Sequence, residues 1–127
     1  MPHPTHLALC LTALSFGFPA QAENWKTRPN DTRLSASELS DTLTGHTLTY
    51  HDGGTSAFEK DGHYTYTYGG GGTWLGEYVI GADSTACVTF VTGISRCDLY
   101  IMNGTSLVVI TEDGLRFPIQ SVTPNEE

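Results

Sequence analysis

From His46 onward a turn signal recurs about every eight to twelve residues, with apolar and polar side chains alternating between the turns. That rhythm constrains the fold more tightly than any other feature of the chain. It predicts eight short strands, at 46–51, 55–59, 63–68, 73–80, 86–91, 94–102, 106–111 and 115–119. The joining segments are Asp52-Gly53-Gly54, Lys60-Asp61-Gly62, the glycine run 69–72, Ala82-Asp83-Ser84, Thr92-Gly93, Asn103-Gly104 and Glu112-Asp113-Gly114. Almost all carry hairpin chemistry, and Asn103-Gly104 predicts a type I′ turn with both residues at positive φ. A parallel pair would need a crossover of about a dozen residues, and no joining segment is that long. The expected fold is mainly β, an antiparallel up-and-down meander closed into a small barrel or sandwich.

A short helix precedes the strands. Ser35 is placed as its N-cap and Glu38 at N3 to close a capping box, while Leu34 staples to Leu39. Leu39 and Leu43 form one apolar stripe, and Gly45 ends the turn. Upstream, residues 7–18 read LALCLTALSFGF, an uncharged apolar run too short for a bilayer core of ~30 Å. With Pro19 and Ala20-Gln21-Ala22 behind it, the run predicts a secretory signal peptide over 1–22, cleaved after Ala22. The remaining organisation is an extended lead-in at 23–33, in which Trp25 is the one large apolar group, a single β domain at 34–120 and a tail at 121–127. No transmembrane segment is expected once the signal is removed.

Loss of the signal takes Cys10 with it and leaves Cys87 and Cys97. In an oxidising compartment two cysteines predict one disulfide. If Gly93 adopts the left-handed conformation in the loop 91–93, Phe90 faces Ile94 and Cys87 faces Cys97 across the hairpin.

The chain also resembles a group of small secreted bacterial β-domains of unknown function. The resemblance runs over about 43–119 and is carried by Leu43, Gly45 and Thr47, then Gly72-Thr73-Trp74, then Cys87 and Cys97. His46 stands where that pattern has Asn. The resemblance implies a secreted one-domain β fold and transfers no catalytic residue.

Charge and motifs narrow the function. The 127 residues hold 6 Lys and Arg against 14 Asp and Glu, a net charge of −8, which disfavours nucleic acid and anionic lipid as partners. The run YTYGGGGTW lacks the Lys-Ser/Thr and the helix of a phosphate loop, and no Gly-x-Ser-x-Gly elbow is present. His46, His51 and His63 lie near Asp52, Glu59 and Asp61, but five-residue spacing turns His46 and His51 to opposite faces of one strand. No metal and no cofactor are therefore implied. What stands out is an aromatic ladder, with Tyr64, Tyr66 and Tyr68 on one face of a strand and Trp74 and Tyr78 on one face of the next.

The expected function is a secreted or periplasmic, non-enzymatic binding module. Its candidate binding residues are Tyr64, Tyr66, Trp74, His51 and His63, beside the glycine loop. The unknown partner would be a protein or a small ligand. One alternative is an accessory or structural subunit of an envelope assembly, docking through the acidic rim and residues 23–33. Another is an inhibitor of a basic hydrolase, motivated by the charge. A hydrolase or metal enzyme built on His51 and His63 comes last.

Overall fold

A computed structural model describes residues 24–126. The signal-peptide assignment at 1–22 lies outside them. The chain forms β1 (Asp31–Arg33), α1 (Ala36–Leu43), β2 (His46–Tyr50), β3 (Thr55–Phe58), β4 (His63–Thr67), β5 (Thr73–Ile80), β6 (Thr85–Phe90), β7 (Ser95–Asn103), β8 (Ser106–Ile110) and β9 (Arg116–Pro124). Strands β2 to β9 pair antiparallel in chain order, and β9 pairs with β2, so the meander closes into an eight-stranded barrel. β1 is an extra strand on the edge of β7, beyond the point where β6 ends.

The strands form where the alternation places them because five of the hairpins share one turn. In each, the residue before the loop donates its N–H to the carbonyl four residues on, and a glycine three residues on donates back. The pairs are Tyr50 with Gly53 and Gly54, Glu59 with Gly62 and His63, Tyr68 with Gly71 and Gly72, Phe90 with Gly93 and Ile94, and Thr111 with Gly114 and Leu115. The donating glycines all have φ between 87° and 99°. This is the three-residue loop with a glycine bulge, whose twist suits the flanking strands. At 81–85 Gly81 donates to the Thr85 carbonyl in the same way, but the return bond runs from the Thr85 amide to the Ala82 carbonyl, with Asp83 at φ 58° and Ser84 at φ 65°. The Ser84 hydroxyl explains the exception: buried, it donates to the Tyr100 carbonyl and accepts from the Leu34 amide at 2.9 Å.

Two sequence expectations are corrected. The β7–β8 turn is centred on Gly104-Thr105, with Asn103 paired to Ser106 and only Gly104 at positive φ. Asn103 stays in the strand because β1 pairs with it and its side chain binds Asp31. Residues 121–124, expected in a tail, continue β9, because Ser121 to Pro124 pair with Thr49 to His46 and close the barrel.

The barrel has two unlike ends. At one end α1 packs on β2 and β5 and drives Leu39 and Leu43 into the core with Leu48, Phe58, Tyr64, Val88 and Tyr100. The capping box of Ser35 and Glu38 forms as the residues predict. On the outer wall of β7 and β8, Leu99, Ile101, Val108 and Ile110 would face water, but Trp25 covers them. Cys87 and Cys97 also lie on the outer wall, directly opposed at a Cα separation of 4.0 Å and joined in a disulfide. Closing so short a loop contributes about 3 kcal/mol in the chain-entropy model.

Candidate functional site

The end opposite α1 is the mouth, ringed by the β2–β3, β4–β5, β6–β7 and β8–β9 loops. Two of these loops meet backbone to backbone, since a Cβ at Gly69 would collide with the Asp52 carbonyl oxygen. Below the rim, the pairing register decides which side chains turn inward. Trp74 pairs with Tyr66, Arg96 with Val88, and Phe117 with Val109, so Arg96 shares the inner face with the core valines. Asp98, two residues on, does the same and is almost completely buried.

Two charged side chains on the inner face of a small barrel are costly unless paired. They pair with each other: Arg96 Nε lies 3.3 Å from Asp98 Oδ2, with 47% of the Arg96 side chain and 6% of Asp98 exposed. Burial pushes the Asp98 carboxyl above the usual range, Arg96 opposes it, and Glu112 and Asp113 add to the rise. For Arg96, burial pulls the guanidinium down but Asp98 and the tyrosines more than offset it. Beneath them, Ser56 Oγ bridges the Tyr50 and Tyr64 hydroxyls at 2.9 and 2.8 Å. Desolvation raises both phenols, which stay neutral.

Two cavities flank this pair. One, of about 90 Å³, is lined by Tyr50, Asp52, Tyr66, Arg96, Asp98 and Phe117, among others. It has room for several waters or one small polar group. The other is an open groove of about 310 Å³ along Tyr66, Tyr68, Trp74, Phe90, Ile94 and Arg96. Tyr66 and Tyr68 meet edge to face at 4.9 Å, and Trp74 meets Phe90 at 6.2 Å. The rim stays apolar outward, with Tyr68, Trp74, Ile94 and Phe117 each at least 40% exposed.

Of the residues singled out from sequence, Tyr66 and Trp74 come together at the mouth. Tyr64 is 2% exposed and belongs to the core, its hydroxyl spent on Ser56. His51 is exposed on the β2–β3 loop and lines neither cavity. His63 begins β4 at the other end, exposed, with Nδ1 2.8 Å from Asp61 Oδ2, a hydrogen bond that raises its pKa. His46 Nδ1 lies 3.0 Å from the Thr44 carbonyl oxygen. Among the described residues no three His, Cys, Asp or Glu side chains stand together as metal ligands.

Arg96 and Asp98 escape the sequence reading although the signal is there. With Cys97 facing Cys87, residues 96, 98, 100 and 102 share the other face of β7. The sequence does not say which face is inner, because Cys97, Leu99 and Ile101 are as apolar as a core row.

Fold and site together define a small up-and-down barrel plugged by a helix at one end and open at the other over an arginine and an aromatic groove. Comparison with protein-family models, curated proteins and solved structures finds no match to this chain. No helix among the described residues is long and apolar enough to cross a membrane.

Proposed function

We propose that this chain is an exported, non-enzymatic binding module that takes a small ligand into the open mouth of its barrel, over Tyr66 and Trp74 and beside the Gly69–Gly72 loop. The observation that carries this reading is the asymmetry of the ends. α1 fills one end with leucine, while the other leaves Arg96 and a row of rings in contact with solvent. Concave sites with apolar walls and a few placed polar groups are where small molecules bind, and barrel mouths are a recurrent place for them. Export is supported by the apolar run at 7–18 and is compatible with the Cys87–Cys97 disulfide. The accessory-subunit alternative needs residues 23–33 for docking. Trp25 and Asp31 are engaged with the barrel's own wall, which favours the mouth instead.

The test is an NMR titration of isotope-labelled 23–127 with a mixture of small aromatic and aliphatic fragments. Shifts are expected at the Trp74 indole N–H, the Tyr66 amide and Gly69–Gly72, and in Trp74→Ala binding read at the Tyr66 amide and Gly69–Gly72 should weaken about tenfold, the loss of an aromatic contact of about 1.4 kcal/mol. Shifts absent from the mouth, or scattered over the outer wall, would overturn the reading.

A further inference from the structure

We infer that the ligand of this cup carries a single carboxylate on a flat apolar body, the carboxylate held by the Arg96 guanidinium and the body lying along Tyr66 and Trp74. This inference rests on the reading that the mouth binds a ligand at all.

The argument starts from what Arg96 does not use. A guanidinium has five N–H donors in a planar fork and accepts nothing. Among the described residues its side chain has one ion-pair partner, Asp98, which approaches Nε. Asp98 lies deeper than Arg96 and fixes one edge of the plane, so the Nη edge is left for the two cavities that Arg96 lines. A fork held from behind by a buried carboxylate presents two parallel donors outward, the arrangement that suits a second carboxylate.

The walls set the rest of the ligand. A groove of about 310 Å³ bounded by Tyr66, Tyr68, Trp74, Phe90 and Ile94 accepts a ring or a short planar chain next to the guanidinium. The surroundings limit its charge. Asp52 lines the smaller cavity, and Glu112 and Asp113 act on Asp98 from the β8–β9 loop. These carboxylates oppose an incoming anion, so one negative charge matched by one arginine is tolerated where a polyphosphate is not.

The experiment compares three probes with one ring and different heads: phenylacetate, 2-phenylethylamine and 2-phenylethanol. Each is titrated to tens of millimolar against 23–127, following the Trp74 indole N–H. Phenylacetate is expected to bind about tenfold more tightly than the other two, the margin of one charge-assisted pair. Arg96→Gln should reduce it to the level of the alcohol, with Arg96→Lys in between. Because Arg96→Gln strands a buried carboxylate, Arg96→Gln with Asp98→Asn is the second variant, and the same loss is expected. A preference for the amine or alcohol at the mouth would overturn the carboxylate and leave the cup standing. No shift with any of the three overturns the inference, and the fragment mixture then decides the cup separately.

Discussion

The carboxylate of Asp31 ties three segments of chain together. It accepts from the Arg28 amide at 2.7 Å, from Asn103 Nδ2 at 2.8 Å, and from Arg116 Nη1 and Nη2 at 2.8 and 3.1 Å. With 1% of the Asp31 side chain and 13% of Arg116 exposed, the pair is shielded from solvent. The Arg116 hydrogen bonds hold the carboxyl well below the usual range, burial opposes them, and Asn103 and the Arg28 amide assist. A depressed carboxylate contributes stability that is complete above its unfolded value of about 3.9 and lost as pH falls towards the folded one. Asp31→Asn is therefore expected to cost about 2 kcal/mol at pH 7, on the scale of hydrogen bonds to charged groups. Urea melts carried from neutral pH down towards pH 3 should show the variant losing less stability than wild type; parallel losses would mean that the carboxylate is no clamp. Asp98 acts in the opposite sense. Its raised pKa gives a contribution present at low pH and lost as pH rises through the folded value, so the difference between the two proteins isolates Asp31. None of this clasp is legible in the sequence, since Asn103 and Arg116 lie 72 and 85 residues away. The site is half legible for a related reason: alternation pairs Tyr66 with Trp74, but whether Tyr64 or Arg96 meets solvent depends on distance from the mouth.

Elements whose causes are local are the ones the residues announce. α1 begins at its capping box, Ser35 Oγ accepting from the Glu38 amide at 3.1 Å and Glu38 Oε1 from the Ser35 amide at 3.0 Å. Ser35→Ala should cost about 1 kcal/mol, a fall in Tm of about 5 °C by calorimetry for a domain of this size. The shift should come without any change at the mouth, because the helix plugs the other end; an unchanged Tm would show that packing of Leu39 and Leu43 alone sets the helix. The bulged hairpins are equally local, since a glycine at the fourth position of the turn suffices. β1 is the contrary case. Asp31, Thr32 and Arg33 have no apolar alternation, and they become a strand only because β6 ends early and leaves an edge of β7 to pair with. Trp25 likewise looks solitary until β7 and β8 place a second apolar row on the outside of the barrel.

Closure is a property of the whole chain, and it decides between the barrel and the sandwich that the strand pattern leaves open. The seam joins β2 near the start of the domain to β9 at its end, through His46↔Pro124, Thr47↔Thr123, Leu48↔Val122 and Thr49↔Ser121. Asn125 seals it: its amide donates to the Gly45 carbonyl at 2.9 Å, its Nδ2 donates to the Phe58 carbonyl at 3.1 Å, and its Oδ1 accepts from the Thr47 hydroxyl. Every other pairing in the barrel joins consecutive strands, so this is where loop-closure entropy is concentrated and where local signals say least. Truncation after Gln120 removes all of these partners while leaving the β8–β9 register 116–118 intact. Hydrogen exchange should then show the β2 amides bonded to β9 losing protection, while β5, β6 and the disulfide-linked stretch of β7 keep theirs. The mouth should loosen with them, because Tyr50 stands at the end of β2 opposite Ile119 and helps to line the cavity beside Arg96. Phenylacetate binding would fall in the truncated chain even though Arg96, Tyr66 and Trp74 are untouched. Retained protection of the β2 amides bonded to β9 would mean that seven strands and α1 hold β2 in place without the seam, and that closure is not what shapes the cup.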